Sequence, residues 1–62
     1  MEKNAKQHVQ DVYHKLETSR TCLNEAMNTV EKEENRQEIQ STLNAVQSAL
    51  QAATSTLSNY KE

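Results

Sequence analysis

Sixty-two residues, 34% hydrophobic, with no Phe, Trp, Gly or Pro and only two Tyr, allow one small domain with a thin core. Five Leu, four Val and one Ile make up about 16% of the chain, but a net charge of −2 is too small to mark it as disordered. Without Gly or Pro, the tight turns of β-sheets, phosphate-cradling loops and dinucleotide fingerprints are excluded, and the fold class is all-α.

The first predicted element carries apolar or small residues at Ala5, Val9, Val12, Leu16, Ser19, Leu23, Ala26 and Val30, in steps of four and three. That is a heptad stripe, and it predicts a helix over about residues 5–31. Asn4 is placed to cap it, with Gln7 completing a capping box. Residues 31–38 (EKEENRQE) contain no apolar side chain, so the stripe breaks there and a charged turn is expected at about 32–35. Asn35 and Glu38 offer a second capping box, although Glu, Lys and Arg are good helix formers and permit one continuous helix.

The second element repeats the heptad at Ile39, Leu43, Val46, Leu50, Ala53, Leu57 and Tyr60, predicting a helix over about 36–60. Two helices of nearly equal length favour an antiparallel two-helix coiled-coil hairpin spanning residues 1–62 as one domain. A fold-back between Glu34 and Asn35 would set Leu23 against Val46, and would place the small Ala26, Ser19 and Ala53 against the large Leu43, Leu50 and Leu16. The expected core seam is Val9, Val12, Leu16, Leu23, Ala26 and Val30 with Ile39, Leu43, Val46, Leu50, Ala53, Leu57 and Tyr60.

A second stripe on the later helix, Ala45, Ala49, Ala52 and Thr56, leaves another face small and nearly apolar. Tyr13, Cys22 and Met27 widen the apolar face of the first. These seven residues form the expected interaction surface. A lone hairpin buries little, so it is expected to associate with itself, most simply as a homodimer forming a four-helix bundle. Charge agrees: residues 39–60 carry none, while most acidic and basic residues precede position 35, which suggests that the second helix sits centrally.

Sites for chemistry are lacking. His8, Asp11 and His14 fan over about 120° of helix surface and cannot converge on one metal ion. Cys22 lies eight and fourteen residues from the two histidines along one helix, too far for a nucleophile pair, and is expected to be buried or half-buried. Glu31, Glu33 and Glu34 lack the Gly and Asp of a calcium loop. No catalytic, cofactor-binding or metal residue is assigned, no small-molecule substrate is implied, and the chain is expected not to be an enzyme.

Scattered basic residues and a pI near 5.6 argue against nucleic acid. Twelve of the 22 residues in 39–60 are Gln, Asn, Ser or Thr, which argues against a membrane span. One cysteine and no signal segment point to the cytoplasm.

This pair of Gly-free, Pro-free, Gln/Ala/Ser-rich helices with a charged middle resembles the small uncharacterised helical-hairpin proteins of spore-forming Gram-positive bacteria and their phages. The resemblance implies a bacterial cytoplasmic protein and no activity or site. Three functions stay open. The first is a self-associating structural or interaction module. The second is an inhibitor or adaptor that lays a helix face onto a partner protein, with Tyr13, Met27 and Tyr60 as anchors. The third, prompted by the uncharged Gln/Ser/Thr/Ala texture of 39–60, is a subunit of a larger filament or secreted assembly.

Overall fold

The computed structural model describes residues 4–61, which form two helices, α1 (Ala5–Thr29) and α2 (Glu33–Asn59), packed as an antiparallel hairpin. Asn4 opens α1 as expected. Its side chain accepts the Gln7 N–H at 2.9 Å, and its own N–H donates to the Gln7 side chain at 2.9 Å, so two orphan backbone donors are satisfied reciprocally. Asn4→Ala removes one of them, and about 1 kcal/mol of stability should go with it. A thermal melt followed by circular dichroism should fall by roughly 4–8 °C.

The turn differs from expectation. It consists of Val30, Glu31 and Lys32, so α1 stops two residues sooner and α2 starts three residues earlier than the apolar pattern implies. Asn35 and Glu38 lie inside α2 rather than at its cap. Lys32 is the N-cap and offers no side-chain bond, but its carbonyl accepts the Arg36 N–H at 3.0 Å. Glu33 and Glu34 occupy the first turn, where negative charge favours the helix dipole. The fold-back is centred on Glu31, between three and four residues before the expected centre. Leu23 consequently shares a hollow with Ile39 and Thr42, rather than facing Val46.

The packed side of α1 is rotated relative to the predicted seam. Val9, Leu16, Leu23 and Val30 are half-buried, and the alternating positions between them are taken by Tyr13, Arg20 and Met27, also half-buried. Val12 is 50% exposed and Ser19 is exposed, while Ala26 remains half-buried. Small side chains fill little space between helices, whereas Tyr13, Arg20 and Met27 bring long side chains to the seam, all half-buried.

On α2, Leu43, Leu50 and Ala53 are the buried residues among those described, with Ile39, Val46, Ala49, Leu57 and the C-cap Tyr60 half-buried. Six threonines return their hydroxyls to helix carbonyls three or four residues back, at 2.9–3.3 Å, which satisfies them without a partner helix.

The molecule measures 47 × 23 × 12 Å, a single layer of two helices with both broad faces uncovered. Its surface of 4932 Å² exceeds the roughly 4,100 Å² expected of a compact chain of this mass. The excess follows from the elongated, single-layer shape.

Candidate interaction face

The two sides of the hairpin differ in chemistry. On one side Val9, Val12 and Leu16 of α1 meet Ala49, Ala52, Ala53 and Thr56 of α2 around an open, almost wholly apolar hollow, with His8 at its rim. Nearer the turn, Leu23 and Val30 meet Asn35, Glu38, Ile39 and Thr42 around a second hollow. Thr42, Ala49 and Thr56 are seven residues apart, so both hollows open on the same side of α2. On the opposite side Tyr13 and Arg20 meet Gln47, Leu50, Gln51, Thr54 and Ser55, a mostly polar rim over the buried Leu50.

The stripe of small residues on α2 therefore has a structural counterpart on α1. Ala49, Ala52 and Thr56 line the apolar hollow, and Ala45 is exposed seven residues from Ala52 along the same row. Val12, expected in the seam, belongs to this hollow because the rotation of α1 turns it outward. The seven expected surface residues do not form one surface. Tyr13 lines the polar side, and Met27 is half-buried along the packed stripe. Tyr60 is half-buried as the C-cap of α2. Cys22 is exposed, not buried or half-buried as expected, because the rotation that buries Arg20 and Met27 swings position 22 away from α2. The contribution of Val12 was missed because an apolar residue at heptad spacing reads as core unless a longer neighbour competes for the same place.

The polar residues singled out in the sequence stay dispersed. The ring of His14 packs edge-on against Tyr13 at 5.8 Å, and its Nδ1 lies 3.5 Å from Glu17. Glu31, Glu33 and Glu34 are exposed. Among the described residues no three His, Cys, Asp or Glu side chains come together, and no helix is long and apolar enough to cross a membrane.

Residues 2–60 match the family described as the type III secretion system, cytoplasmic E component of needle. The chain belongs to this family. No curated relative and no solved structure matches it. The family overturns the resemblance to hairpin proteins of spore-forming Gram-positive bacteria and phages. That resemblance rested on helix-rich composition without a motif, and any two-helix protein free of Gly and Pro shares it. A needle component is a structural part and not a catalyst, and of the three functions left open the family favours the third, a subunit of a larger assembly.

Proposed function

We propose that this chain is a non-enzymatic hairpin subunit of a type III secretion needle system, acting in the cytoplasm and engaging another protein of that system through its apolar side. The observation that carries this reading is the one-sidedness of the hairpin. Apolar and small side chains open toward solvent between Val12 and Ala49, while the opposite side is rimmed by Gln47, Gln51 and Thr54. An amphipathic helix laid along this side would cover the small residues closely, as helix-in-groove recognition requires.

The single-layer shape favours a second reading, in which the same side is covered by another copy and two hairpins form a homodimeric four-helix bundle. Size-exclusion chromatography with light scattering separates the two. A particle near 7 kDa that shifts to a discrete complex when the system's other cytoplasmic proteins are added supports the first. A stable mass of about 14 kDa, twice the 7.1 kDa chain, that ignores those proteins supports the second and contradicts the first.

A further inference from the structure

The hairpin turns without any residue that forces it to turn. Val30 (φ −68°, ψ 137°) and Lys32 (φ −90°, ψ 132°) are both extended, and no described residue has positive φ. The left-handed glycine that commonly ends a helix is absent. Val30, Glu31 and Lys32 could all adopt helical angles without steric penalty, and Glu and Lys favour them. A helix running unbroken from α1 into α2 would also regain the backbone bonds that the turn interrupts.

One side chain opposes this. Arg36 reaches back across the turn and donates from Nη1 to the Met27 carbonyl and from Nη2 to the Val30 carbonyl, each at 3.2 Å, while its Nε lies 3.5 Å from Glu33. These carbonyls belong to the end of α1, whose last turn has no basic residue of its own. A forked cation there satisfies two orphan acceptors and complements the negative end of the helix dipole. In an unbroken helix both carbonyls would instead accept backbone N–H groups, and Arg36 would have nothing to hold.

We infer that Arg36 is the strap that keeps the chain folded on itself, and that without it residues 30–32 become helical and two chains pair by exchanging α2. Exchange preserves the packing of α1 against α2, since each helix meets the same surface on a second copy. The hairpin and the exchanged pair therefore differ chiefly at the turn.

The test is small-angle scattering with light scattering on Arg36→Ala. An exchanged pair is a rod of roughly 80 Å, set by residues 5–59 at 1.5 Å per residue, against the 47 Å of the hairpin. Side-by-side pairing of intact hairpins does not lengthen the particle in this way. The expected result is a doubled mass, a particle lengthened by roughly 30 Å and a small gain in helicity. Adding Glu33→Pro should restore the short particle. Position 33 is the first residue of α2, where proline is welcome, and Lys32 before it is already extended, but proline there cannot sit inside one continuous helix. An Arg36→Ala chain of unchanged length overturns the inference. So does one that loses helicity and does not regain it with Glu33→Pro.

Discussion

Leu50→Asp is expected to abolish the hairpin, with far-UV circular dichroism falling to that of a largely unfolded chain. Leu50 is 6% exposed and is one of three buried residues among those described, at the middle of the packed stripe. Removing a buried Leu side chain costs about 2–5 kcal/mol. An unpaired carboxylate in the same place adds the cost of desolvating a charge. A domain this small commonly has about 3–5 kcal/mol in hand. Leu23→Asp, at a half-buried position beside an open hollow, should cost less, because its carboxylate can reach water. If Leu50→Asp keeps its helicity, the buried stripe is not what joins the helices.

Ala49→Glu is expected to do the reverse, leaving the hairpin folded and removing its capacity to bind. Ala49 is half-buried at the edge of the apolar hollow, and Glu is a good helix former whose charged end can extend into solvent. In a complex, that charge would be trapped against an apolar partner. A penalty of about 2 kcal/mol or more, at least thirty-fold in Kd, is usual for disrupting the centre of an interface. Isothermal titration of the folded variant against the binding partner measures it. Loss of helicity along with binding would mean that folding and association are a single event.

The two helices, the cap of α1 at Asn4 and the antiparallel arrangement were legible because heptad periodicity and side-chain capping are local properties of the chain. The turn was less so. Apolar spacing ends at Val30 and resumes at Ile39, which marks a gap but not where in the gap the backbone bends, and that is decided by Arg36, nine residues beyond the carbonyl it holds at Met27. The side of α1 that packs was ambiguous for a similar reason. Val9, Leu16 and Leu23 accept either Val12 and Ser19 or Tyr13 and Arg20 as neighbours at heptad spacing. The choice falls to the longer side chains, which cover more of α2. The same rotation exposes Cys22 and assembles the apolar side, so the pairing of Val12 with the small stripe on α2 was visible only in three dimensions. Family membership was not legible from the heptad pattern, which any two-helix hairpin shares; the match extends over residues 2–60.

The most direct test of the account is type III secretion in the native host with Ala49→Glu compared with Gln47→Glu, a substitution of the same charge on the polar side. The account predicts that Ala49→Glu stops secretion while the variant accumulates as a folded chain, and that Gln47→Glu secretes as the wild type does. Secretion undiminished by Ala49→Glu, or lost equally with both variants, would contradict the claim that the hairpin works through the side between Val12 and Ala49.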